Sequence, residues 1–364
     1  MGRQVPGPLQ RSQRLYPTGG TSGKQSATAN IGEVSTTVGF MQPCFPGCYT
    51  NKPMARAKER RIAATVAGWC GAALVLFAAS LSWAQESITP QISPAELVRE
   101  TVANEVAAND NSAVKHMFLS RKQTPRGMQT HLYVETNDAM AGMLIAVNDK
   151  PLSPEQQKAE NDHLAWLMNN PEQLRKKRAR EKEDAERTLR IVKAFPNAFR
   201  YQYAGTEAGE PNAGKPGDEL VRLKFAPNPG YSPPSHVEQV LEGMQGYLLI
   251  DVNEKRIARI DGALFREVSF GWGIIGHLDK GGYFRVQQAD VGQGAWEITS
   301  MALKMTGKIL LFKSFSMSWD ETFTDFQRVP ENLPFAKGIE LLKAQREKLA
   351  YASSSAPAGA AKIP

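Results

Sequence analysis

Between residues 93 and 349 the hydrophobic positions change period several times, and each change predicts an element. Ser93-Pro94-Ala95-Glu96 combines an N-cap serine, a proline at the first helical position and a glutamate at the third, and Val98, Val102 and Val106 then share one helical face. Period-two runs at 116–122, 129–135 and 143–147 predict strands, separated by turns at Thr124-Pro125-Arg126-Gly127 and Asn137-Asp138. The capping pattern returns at Ser153-Pro154-Glu155-Gln156 and at Asn170-Pro171-Glu172-Gln173, predicting paired helices over about 153–195. The second of these carries many lysines and arginines, but acids stand four residues away from them, the pattern of a solvated face rather than a phosphate-binding one. Only Ala185, Leu189 and Val192 offer it a docking stripe, so it should project or lie on the surface.

Beyond residue 220 the pattern is almost entirely strands: 220–225, 246–252, 256–261, 263–270, 282–291, 295–305, 308–319 and 323–329, then a helix over 334–349. Short connections such as Asn253-Glu254 and Thr306-Gly307 imply antiparallel neighbours, because a parallel crossover needs a dozen residues or more. The expected fold is therefore α+β: a curved antiparallel sheet, a half-barrel-like meander, with helices packed on it.

The first 84 residues read differently. Residues 1–53 are rich in Gly, Ser, Thr, Pro and Gln and show no hydrophobic period; they read as a disordered extension or as sequence upstream of a true start at Met54. From Met54 to Arg61 runs a positive segment, 62–81 is apolar and uncharged, and Ser82-Trp83-Ala84 ends in the small-x-small pattern of a signal peptidase site. Residues 54–84 thus read as a bacterial signal peptide cleaved between Ala84 and Gln85, with transient membrane contact. The expected location is periplasmic or secreted; the alternative is an inner-membrane anchor through 62–83, which is long enough to span. That leaves 85–350 as one β-rich envelope domain and 351–364 as a disordered tail.

Charge and cysteine follow the same division. The leader holds the whole of the net charge of +7, and the remainder carries as many acids as bases, which excludes a general attraction for nucleic acid. Cys44, Cys48 and Cys70 also precede Gln85, so the exported part has neither disulfides nor thiol chemistry.

No motif implies a cofactor or a catalytic residue. Gly271-Trp272-Gly273-Ile274-Ile275-Gly276 fits a dinucleotide-binding pattern, but the residues after it read as a strand where such a site needs a helix N-terminus. His116, His131, His163, His236 and His277 show no metal-ligand spacing, so no metal is assigned; a zinc site could be built only from distant residues. Asp251 and Asp261 face each other across the expected hairpin at Asn253, as strand neighbours commonly do. The most informative stretch is Phe315, Met317 and Trp319 alternating with Ser314, Ser316 and Ser318, with Trp296, Ile298, Tyr247 and Leu249 placed to share the apolar face. Read as packing, this is core. Read functionally, Trp296, Ile298, Phe315, Met317 and Trp319 line a concave sheet that takes acyl chains.

In the order of its elements the chain resembles the periplasmic lipoprotein-carrier superfamily. The helix after the leader and the units Gly246-Tyr247-Leu248-Leu249-Ile250-Asp251 and Arg256-Ile257-Ala258-Arg259-Ile260-Asp261-Gly262 carry the likeness, over residues 93–329. The helices at 153–195 depart from it as an insertion. The resemblance implies a half-barrel that binds lipid or a lipidated protein. A carrier for a hydrophobic ligand is thus the leading expectation, and a periplasmic hydrolase the alternative. Lipid that co-purifies with the protein favours the carrier; histidine and carboxylates converging in one cleft favour the enzyme.

Overall fold

In the computed structural model, which describes residues 92–111, 114–271, 275–310 and 313–355, helix α1 (Pro94–Asn111) starts where the capping pattern places it. The Glu96 amide donates to Ser93 Oγ at 3.2 Å. The proposed leader, its cleavage point at Ala84 and Gln85, Trp272 to Ile274 and the end of the tail lie outside the described residues. Among the described residues, no helix is long and apolar enough to cross a membrane.

After α1 come β1 (Lys115–Thr124), β2 (Gly127–Val134), β3 (Ala141–Val147) and the short β4 (Lys150–Pro151). Helices α2 (Pro154–Asn169) and α3 (Pro171–Ala198) follow, α2 with a complete capping box between Ser153 and Gln156. The chain returns to strands with β5 (Phe199–Ala208), β6 (Glu219–Pro227), a single turn α4 (His236–Gln239), β7 (Met244–Asp251), β8 (Arg256–Leu264) and β9 (Val268–Phe270). It continues through β10 (Gly276–Leu278), β11 (Tyr283–Asp290), β12 (Trp296–Ile309) and β13 (Lys313–Val329) to α5 (Phe335–Ser355).

All thirteen strands join one open antiparallel sheet in the order β4-β3-β2-β1-β13-β12-β11-β8-β7-β6-β5, with β10 paired to β12 and β9 to β10. Two meanders are thereby stitched together by the β1–β13 ladder, which runs from Lys115↔Val329 to Gln123↔Asp320. The paired helices expected only as an insertion connect the two edges, β4 and β5.

Register assigns the faces. Trp319 lies opposite Leu303, Leu303 opposite Phe284, and Phe284 opposite Gly262, so these positions share one face with Leu248 and Leu223. Against that face pack Leu97, Val98 and Val102 of α1 and Ile191, Phe195 and Ala198 of α3, forming the main core. The opposite face of β1–β3, through Met117, Leu132, Val134 and Met143, packs against Leu164 of α2 and Phe335, Ile339 and Leu342 of α5. The sheet is thus covered from both sides, at different ends.

Several expectations change, among them the docking stripe of α3, which is Ile191, Phe195 and Ala198, with Val192 at its margin, rather than Ala185, Leu189 and Val192. Thr306-Gly307 is not a turn: β12 runs on to Ile309, and Gly307 is needed because a Cβ there would lie 2.2 Å from the His277 carbonyl oxygen. The strands expected at 308–319 and 323–329 are one strand, β13, since Glu321 is buried and bonded inside the sheet. Strand β5 carries Phe199, Tyr201 and Tyr203 on the core side, a period-two run the sequence reading passed over. Tyr247 and Leu249 lie on the face away from Trp319: Arg222 sits 4.1 Å over the Tyr247 ring, and Leu249 packs with Leu220 and Ala258. The tail also remains helical to Ser355.

Candidate functional site

The ladder between β12 and β13 ends at Ser300↔Thr322. Beyond it β12 stays with β11 as far as Trp296↔Asp290, while β13 stays with β1 as far as Val329. The two strands part because each is bulged. Thr299 is extra in β12, and in β13 the shift opposite Met117 and Leu119 accompanies Asp325 at φ 57, a left-handed value that asparagine and aspartate tolerate better than most residues. At the split, where Met301 and Phe323 form the margin of the α1 and α3 core, a cavity of about 560 Å³ opens.

Its floor is the sheet: Phe118 of β1, Ile298 and Met301 of β12, and Phe323 and Phe326 of β13. Phe118 holds Phe323 and Phe326 at ring distances of 5.9 and 5.4 Å. The roof is the middle of α3, with Lys177, Glu181, Asp184, Ala185 and Thr188 recurring at helical spacing. Glu181 also ties the helix to the 135–140 loop, where its carboxylate accepts the Met140 amide at 3.0 Å. An apolar floor under a polar roof, in a volume within the roughly 300–1,000 Å³ typical of small-molecule sites, suits an amphiphile.

At the split, three polar side chains from distant parts of the chain converge. Glu297 of β12 reaches His116 of β1, with Oε1 2.7 Å from Nδ1. Glu135, just after β2, accepts the His116 amide through Oε2 at 2.8 Å, and its own amide donates to the His116 carbonyl at 3.0 Å. His116 is 3% exposed, and both carboxylates line the cavity. Burial raises Glu135 to about 7, with the Glu297 charge adding to the rise, and burial likewise raises Glu297 to about 7. Burial lowers His116.

A second polar set lies further along the same face of the sheet. Glu321, 1% exposed, accepts from Ser120 at 2.7 Å and pairs with Lys122 at 2.9 Å, and the Lys122 ammonium sits 4.3 Å from the Trp319 ring centroid. Burial, then the Lys122 charge, push His131 down to about 4. Tyr133, buried and stacked on His131 at 5.5 Å, is raised by burial and by Glu321 and Glu160.

The five residues singled out in the sequence do not come together. Ile298 lines the cavity. Trp319 is core, Phe315 and Met317 pack at the margin of that core, and Trp296 lies beside Arg256 at 5.2 Å. Asp251 and Asp261 are likewise apart: Asp251 is buried and caps its own turn by accepting from Asn253 and Glu254, while Asp261 pairs with Arg259 and Arg285. The glycine run leads into β10, not a helix. His116, Glu135, Phe118 and Phe326 gave no local signal, because strand order rather than spacing brings them together. No family model, curated protein or solved structure matches this chain.

Proposed function

We propose that the chain is an exported envelope protein that binds an amphiphile, seating its acyl chain on the floor of the cavity beneath α3. The observation that carries this reading is the contiguous apolar surface of Phe118, Ile298, Met301, Phe323 and Phe326 at the margin of the main core, roofed by charged side chains. Apolar surface of that kind binds by removal from water, while the roof and the His116 cluster give the head group polar partners. The leader-like segment at 54–84 supports export. The resemblance to lipoprotein carriers, and an open antiparallel sheet of meander order, support a lipid or a lipidated protein as cargo. Mass spectrometry of an organic extract of protein purified without detergent tests the reading. Lipid approaching one molecule per chain is expected. A lipid-free extract, together with no uptake of a fluorescent fatty acid, would sink it.

A hydrolase acting in the same cavity is the second reading, and one observation favours it: a histidine and two carboxyls converge at the cavity wall. Turnover of acyl-ester substrates that vanishes in Glu297→Gln, with lipid binding intact, would establish it over simple carriage.

A further inference from the structure

His116, Glu135 and Glu297 come from three strand regions and place one potential ligand atom each within 4.8 Å of one another. Two carboxylates in so confined a place ordinarily take a cation. The charges of Arg256 on Glu297 and of Lys115 on Glu135 act only from a distance: among the described residues, the only ion pair reaching either acid is the His116–Glu297 contact. The nearby cations are engaged elsewhere. Arg256 holds Glu105 at 3.0 Å, the Arg328 guanidinium meets the Gln293 carbonyl at 3.5 Å, and Lys115 is bonded to the Asn137 side chain.

We propose that His116, Glu135 and Glu297 form a binding site for a divalent transition-metal ion of the zinc type, its remaining coordination positions facing the cavity. The donor set argues for this class. Three protein ligands with an imidazole among them is the number that open zinc sites use, here with a second carboxylate where those sites carry a second histidine, whereas calcium takes six to eight oxygens, more than this wall presents. Binding needs His116 Nδ1 and both carboxylates free of protons, so every proton those three ligand atoms hold leaves to solvent as the ion enters. The scaffold is set for it. The Glu135 main chain and side chain both clip to the His116 backbone, and the Phe326 ring meets the imidazole edge-on at 6.0 Å, so histidine and one carboxylate are held before any ion arrives. This inference stands apart from the amphiphile reading, since the ion needs only the three side chains.

The test is calorimetric titration of the untagged full chain with Zn²⁺, after chelator dialysis and with Cys44, Cys48 and Cys70 alkylated so that thiolates do not compete. Co²⁺ absorption serves as a spectroscopic second readout. One equivalent per chain is expected, with a visible Co²⁺ band. Glu297→Gln should weaken binding by about 100-fold and His116→Ala by at least as much, while Glu186→Gln, exposed on α3 and outside the cavity lining, leaves it unchanged. Because His116 is buried and its variant can fail to fold, the partly exposed Glu297 provides the deciding substitution, with circular dichroism verifying its fold. Non-saturable binding, or the same affinity in a folded Glu297→Gln, would overturn the proposal.

Discussion

At Gly262 the β8 backbone leaves room for the Phe284 ring of the next strand: a Cβ built there lies 2.1 Å from Phe284 Cε1. The glycine is required by contact, not by dihedral angle. Gly262→Ala should therefore cost about 1–3 kcal/mol, the usual range for overpacking, measured by urea unfolding. His131 makes a pH prediction. Its folded pKa of about 4 lies below the ordinary value of 6.5, so the unfolded chain binds the proton first as pH falls. Its contribution is fully present above pH 6.5 and is lost between about 6.5 and 4, a decrease on the order of 3 kcal/mol. His131→Gln should flatten the stability curve in that window; an unchanged slope would show that the imidazole charges freely in the folded protein.

The elements repeat this contrast between local and distant causes. Helix α3 is anchored at one end by Ile191, Phe195 and Ala198 and roofs the cavity along its middle. Phe195→Ala should cost about 3–5 kcal/mol and speed amide exchange along 171–190, where the roof depends on that anchor. On β13, Ser316→Lys should stay within about 0.5 kcal/mol because Ser316 is exposed, whereas Trp319→Ala, at 6% exposure, should cost about 3–5 kcal/mol. That parity was legible in the sequence, as were the caps of α1 and α2 and most strands, because each rests on neighbours a few residues away. Gly307 and Glu321 misled for the opposite reason. Glycine and a charged pair read locally as a turn, yet one makes room for a neighbouring strand and the other is neutralised by Lys122 and Ser120 from β1. Strand β5 was legible and overlooked: its aromatic residues alternate with Arg200 and Gln202.

On the scale of the whole molecule, the site exists because two meanders meet at β1 and β13 and then separate from β12. Nothing in the spacing of residues 116, 135, 297 and 326 announces that event. It follows from strand order and two bulges, and for that reason only Ile298 of the five residues expected to line a ligand site reached the cavity. Ile298 is also 38% exposed, so a charge placed there should enter the floor with little cost to the fold. The most direct measurement of the central claim is equilibrium binding of a fluorescent long-chain fatty acid to the wild-type chain and to Ile298→Arg, with both thermal transitions recorded. Saturable micromolar binding, lost by about tenfold or more in an Ile298→Arg variant that melts like the wild type, is the predicted result. Equal binding by the two chains, or none by the wild type, would contradict the assignment of this cavity to an acyl chain.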